Sequence, residues 1–191
     1  MKKFKSISLV LSAMCALMVA GCGGGGSDNS AATASGSTTS QTASALDHTC
    51  QLPNFNEDFI ARINALRASG AVCVGQVMPK VGRLIWSQKL QNSTTTHARN
   101  EADLNFYSHT GLNGSTPESR GKAAGYVGGV GENIHVQVQT IEQAFTGWVN
   151  SPHHCVNLML DDYQEFAVSC ADNSTSQYGR YWVMALGVPA L

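Results

Sequence analysis

Apolar residues first gather in one block, Ile7 to Ala20, an unbroken run of apolar and small residues behind Lys2, Lys3 and Lys5. They then nearly vanish: from Gly23 to Thr49 no aliphatic residue larger than alanine appears until Leu46. Beyond that gap the pattern becomes helical. Phe59, Ile60, Ile63 and Leu66 share one face behind the candidate N-caps Asn54 and Asn56, and Gly70 stands where a left-handed residue would close the helix. A second helix is expected from a Ser87 cap to about Asn105, with Leu90, Thr94, His97, Glu101 and Leu104 along one face, an unusually polar stripe. Ser115-Thr116-Pro117-Glu118 and Thr140-Ile141-Glu142-Gln143 read as capping boxes, the second opening a helix with Phe145, Trp148 and Val149. Ser151-Pro152 caps a further turn or two, His153 to Leu160.

Near the end the period changes to two. Phe166, Val168 and Cys170 alternate with smaller or polar residues, and Tyr181 to Leu186 forms a second candidate strand, with turn residues Asp172 to Ser176 between them. Helices first and an antiparallel hairpin late predict an α+β domain rather than a doubly wound sheet.

The opening block is the pattern of an export signal: a basic start, then an apolar run too short to span a bilayer. It ends in Val19-Ala20-Gly21-Cys22, the pattern a lipoprotein signal peptidase reads. Residues 1–21 are therefore expected to be a signal peptide, Cys22 an acylated residue carrying chains such as palmitate, 22–49 a Gly/Ser/Thr-rich tether and 50–191 the folded domain. A flexible coil of that length holds the domain on the order of 30 Å from the lipid. The expected location is the cell envelope. Gly23, in place of a retaining aspartate, points to an outer membrane where the cell has one.

Loss of Lys2, Lys3 and Lys5 from twelve Lys and Arg leaves nine against thirteen Asp and Glu. The mature chain is mildly acidic and has no cluster of cations to displace counterions, which argues against nucleic acid as a partner. A monomer is expected, and the membrane, through Cys22, is its expected partner. Beyond Cys15 and Cys22, the domain holds Cys50, Cys73, Cys155 and Cys170. Four cysteines in an oxidising compartment predict two disulfides, with Cys50–Cys73 and Cys155–Cys170 favoured as the short-loop pairing. A zinc site is the rival use of these cysteines, but no C-x-x-C pair is present.

Four clusters combine titratable residues with turn formers: Tyr107-Ser108-His109-Thr110, Gly131-Glu132-Asn133-Ile134, Trp148 to Cys155 with its Ser151-Pro152-His153-His154, and Tyr181-Trp182-Val183. In this order, after Leu84-Ile85-Trp86-Ser87, the chain resembles the CAP superfamily (cysteine-rich secretory, antigen 5 and pathogenesis-related 1 proteins, the SCP domain), in its short bacterial branch. The resemblance covers nearly all of 50–191. It implies a three-layer α-β-α sandwich with a central, mainly antiparallel sheet, and a cleft gathering His109, Glu132 and His154. It departs from the animal and plant pattern where a second glutamate would stand, here Ser151, and at His153, where relatives commonly carry glycine.

Two imidazoles and one carboxylate suit an open site for zinc or another divalent metal, with His109 and His154 as ligands and Glu132 as third ligand or orienter. Without metal, Glu132 can orient an imidazole acting as general base. The same cluster also reads as a hydrogen-bonded network knitting loop to sheet. The functions in play are an envelope hydrolase of peptides or glycans using His109, Glu132 and His154, a module that binds a metal, small molecule, lipid, glycan or peptide without turnover, and a structural surface protein. His97 with Glu101 reads as structural, because the second histidine of a metalloprotease motif is missing. Trp86, Trp148 and Trp182 read as core, Asn133 and Asn157 as loop fixers, and His135 lies either in or away from the cleft.

Overall fold

Two strands, β5 (Glu165–Asp172) and β6 (Arg180–Pro189), are buried at nearly every position because both their faces are covered. A computed structural model of the chain describes residues 47–190; the expected signal segment, Cys22 and the tether to residue 46 lie outside them. The other elements in chain order are α1 (Phe55–Ser69), β1 (Ala71–Cys73), β2 (Gln76–Met78), β3 (Ile85–Trp86), α2 (Gln88–Asp103), α3 (Pro117–Ala123), β4 (Gly128–Val136), α4 (Ile141–Asn150) and α5 (Pro152–Leu158). The main sheet has the order β3-β5-β6-β4, antiparallel except for the β3–β5 pair, and β1–β2 is a separate hairpin.

Strand alternation sorts the layers. Phe166, Val168 and Cys170 of β5 and Trp182, Met184 and Leu186 of β6 face α1, α4 and α5, packing on Phe59, Ile63 and Trp148. Ala171, Tyr181 and Val183 face the other way, onto Ala98 and Ala102 of α2 with Ile134 of β4. Ala167 and Ala185 complete that face with Leu90 and Tyr126. The result is the expected α-β-α sandwich. It also explains the polar stripe of α2: small residues on β5 let the helix approach closely, and Thr94 and Thr95 meet Ser169 Oγ at 2.7 and 3.0 Å inside the contact.

The disulfides differ from expectation. Cys50 pairs with Cys170 and Cys73 with Cys155, across 120 and 82 residues. Cys50 and Cys73 flank the 15-residue α1, whose rise of 1.5 Å per residue separates its ends by about 22 Å, far beyond disulfide reach. Just before Cys50, Thr49 bridges Cys170 in parallel and His48 O accepts from Cys170 N at 2.7 Å. In α3 the cap is Thr116 with Ser119, not Ser115 with Glu118. Pro117 forces the residue before it to be extended and takes the first helical position itself. The Thr140–Gln143 box forms as expected. No helix among the described residues is long and apolar enough to cross a membrane.

One core residue carried no signal in the sequence. Arg67 of α1 is fully buried and donates to the carbonyls of Gly82, Leu158, Leu160 and Tyr163, at 2.6 to 3.3 Å. Its guanidinium organises the segment after α5, with hydrogen bonds to carbonyl dipoles.

Candidate functional site

β4 lies at the edge of the sheet, so residues on its two faces can share one opening. Glu132 and Ile134 face α2 and α3, while Asn133 turns toward α5. A concavity of about 440 Å³ straddles this edge, lined by His109, Glu132, Asn133, His153, His154 and Asn157, with Val156 and Leu160. His109 arrives from the loop between α2 and α3, His154 from α5. The two histidines come from opposite layers.

Glu132 is the hub. Its Oε1 accepts from His109 Nδ1 at 2.9 Å and its Oε2 from Arg120 Nη2 at 2.6 Å. The Glu132 side chain is 4% exposed and that of Arg120 6%, whereas His109 is 53% exposed. Arg120 also donates to His109 O and Ser115 O, so one guanidinium grips both the carboxylate and the backbone of the histidine that the carboxylate orients. With Nδ1 donating, the neutral His109 ring keeps its lone pair on Nε2. Sequence patterns did not single out Arg120; the signal available was that a buried carboxylate requires a cation.

His154 is held through its backbone. Asn133 donates to His154 O at 3.2 Å, Asn157 donates to Asn133 Oδ1 at 2.9 Å, and Tyr163 donates to Asn157 Oδ1 at 3.0 Å. This chain of amides stitches α5 to β4, the loop-fixing role expected for Asn133 and Asn157. A side chain at Gly131 would occupy the place of the Tyr163 hydroxyl and displace it from this chain of amides. Burial, reinforced by His109, His135 and His153, holds the His154 imidazole below its ordinary pKa and therefore neutral near pH 7. His153 also lines the opening. His135 does not; its Nδ1 accepts from Val136 N at 2.8 Å. Ser151 caps the α4–α5 junction and does not line the concavity.

Behind the site, His97 and Glu101 of α2 clamp the residue preceding His109. His97 Nε2 donates to Ser108 O at 2.9 Å, and Ser108 N donates to Glu101 Oε1 at 3.1 Å. Both side chains are fully buried, and desolvation pushes the Glu101 carboxyl up to about 8 and the His97 imidazole below its ordinary value. Their structural reading holds, with a purpose: they position the His109 loop.

The donor set suits a cation only in part. His109 Nε2 and the neutral His154 ring are competent ligands, and a carboxylate behind a ligating imidazole is a common supporting arrangement around metals. Glu132, however, is engaged by Arg120. Among the described residues, the donor atoms of His109, Glu132 and His154 do not all lie within 4.8 Å of one another; Cys50, Cys170 and Asp172 do, and two of those are disulfide sulfurs. Glu132 is therefore an orienter of His109 rather than one member of a three-ligand cage.

Comparison with known proteins gives a consistent picture. The chain matches the solved structure of an outer surface protein from Borrelia burgdorferi, at 18% identity and TM-score 0.56 over 70% of this chain and 92% of that one. It also matches that of an extracellular protein containing a SCP domain from Bacillus anthracis, at 19% identity and TM-score 0.53 over 70% of this chain, and spans 41% of that protein. At these identities the likeness establishes the fold. No curated protein matches the chain. The model of the cysteine-rich secretory protein family matches residues 60–186, which contain His109, Arg120, Glu132 and His154, and the chain belongs to that family, the CAP proteins.

Proposed function

We propose that this chain is a lipid-tethered CAP module of the cell envelope whose edge-strand concavity binds a divalent cation of the zinc class through His109 and His154, without turning over a substrate. The observation that carries this is the His109–Glu132–Arg120 relay, 2.9 and 2.6 Å, which fixes the His109 tautomer with Nε2 free. It also weighs against Glu132 itself as the base in hydrolysis. Glu132 is the one carboxylate among the lining residues, and with each oxygen committed to a buried or oriented donor it is poorly placed to take a proton from water. The position of a second acid in animal and plant relatives is Ser151.

An envelope location agrees with the printed descriptions of the two structural neighbours, one an outer surface protein and one extracellular. It also agrees with the export signal and with Cys22, expected to carry the acyl anchor.

Zinc content and zinc titration of the purified mature protein, beside a His109→Ala/His154→Ala double variant, test the reading. Binding in the wild type that the double variant loses is the expected result, and equal zinc in both overturns it. Peptidoglycan and peptide libraries incubated with wild type and Glu132→Gln test turnover. Products formed by the wild type and lost in the variant would restore the hydrolase.

A further inference from the structure

The β1–β2 hairpin has two unlike faces. Cys73 and Met78 turn inward and pack with Cys155 and Met159. Val72 and Val77, partners across the strands, are 67% and 77% exposed, and Val74 at the tip is 65% exposed. Single exposed aliphatics are ordinary. Three on one short hairpin form a patch.

The tip sharpens the point. Cys73 pairs with Gln76, leaving Val74-Gly75 as a two-residue turn with φ of 47° and 85°. Such a turn normally takes Asn-Gly, and a β-branched residue at positive φ is a steric outlier. Backbone strain and contact with water therefore both oppose Val74, and burial in the fold does not compensate. Strained, exposed positions of this kind mark functional contacts more than folding contacts.

The surroundings suggest the partner. Residues 70–83 contain no acid, and Lys80 and Arg83 are exposed; Asp161 meets the far end, accepting from Gly82 N at 3.3 Å. The hairpin is pinned by Cys73–Cys155, next to His154. α1 leads from the start of the fold to the hairpin.

We propose that the β1–β2 hairpin docks onto a phospholipid bilayer, with Val72, Val74 and Val77 in the acyl boundary and Lys80 among the headgroups. A protruding aliphatic tip flanked by cations is what a lipid surface with some anionic headgroups accommodates. Docked this way, the hairpin holds the concavity beside the headgroups. The contact needs no cation at His109 and His154, so its failure leaves the cation reading untouched.

The test uses the mature chain with Cys22→Ser, so that no acyl chain contributes, sedimented with vesicles of phosphatidylcholine alone or mixed with phosphatidylglycerol. Wild-type hairpin residues are expected to bring the protein down with the vesicles. Val72→Thr, Val74→Asn and Val77→Thr together should weaken partitioning by at least about tenfold. Lys80→Glu should lower binding only where phosphatidylglycerol is present. Near-UV circular dichroism and the absence of free thiols confirm that each variant is folded. Failure of the wild type to sediment, or equal sedimentation of the triple variant, overturns the proposal. A wild-type dimer that the triple variant dissolves also overturns it, assigning the face to a second copy.

Discussion

Arg120 Nη2 lies 2.6 Å from Glu132 Oε2, an ion pair with both side chains almost wholly buried. Removing one partner of such a pair leaves an uncompensated buried charge. Glu132→Ala is therefore expected to destabilise the domain by about 3–5 kcal/mol. His109→Ala, at a half-exposed ring, is expected to cost under about 1 kcal/mol. Urea denaturation of both variants checks the asymmetry. If correct, loss of zinc in His109→Ala reports the site, whereas loss in Glu132→Ala reports both site and fold.

The buried pair on α2 makes a pH prediction. The Glu101 carboxyl stands at about 8 in the folded chain, so it stays protonated there while the unfolded chain releases its proton above the ordinary carboxylate range. The unfolded state then binds fewer protons, and stability falls as pH rises from about 4.5 toward 8. Glu101→Gln keeps an acceptor for Ser108 N and removes the titration. It is expected to stabilise the domain by about 2 kcal/mol at pH 8 and by little at pH 4.5, measured by thermal unfolding across that range.

His97 and His154 act with the opposite sign. Burial lowers both in the fold, so below about 6.5 the unfolded chain takes up protons that the folded chain refuses, and stability falls with falling pH. Their contribution is complete above the unfolded value. A His97→Gln variant should lose part of the acid-side dependence between pH 6.5 and 5, and an unchanged slope would contradict it.

The two long-range disulfides should each matter. In the loop-closure model, bridges across 120 and 82 residues are each worth about 4–5 kcal/mol. Paired serine variants, Cys50→Ser with Cys170→Ser and Cys73→Ser with Cys155→Ser, report them separately. Non-reducing peptide mapping should return Cys50 with Cys170 and Cys73 with Cys155, and recovery of a Cys50–Cys73 peptide would refute the connectivity.

Arg67 offers a test of packing without a carboxylate partner. Its planar fork meets four carbonyls that lysine cannot satisfy together. Arg67→Lys is expected to cost about 2–3 kcal/mol and to loosen the segment through Leu160, which borders the concavity, seen as faster amide exchange there.

Local features of this fold were legible in the chain. The 3.6-residue stripe of Phe59 and Ile63, the Thr140–Gln143 box and the alternation through Phe166, Val168 and Cys170 each depend on neighbours a few positions away, so short-range sequence determines them. The segments bearing His109, Glu132 and His154 were legible too, by resemblance. What tertiary structure alone decided has one physical cause: it joins residues with no sequence period between them. Edge position makes β4, a glycine-rich strand without alternation, the meeting line of two layers. It brings Arg120 to Glu132, engages the carboxylate and leaves His109 and His154 on opposite layers. The cysteines obeyed the same rule, since α1 is a rigid rod that holds Cys50 and Cys73 apart and hands each to a distant partner.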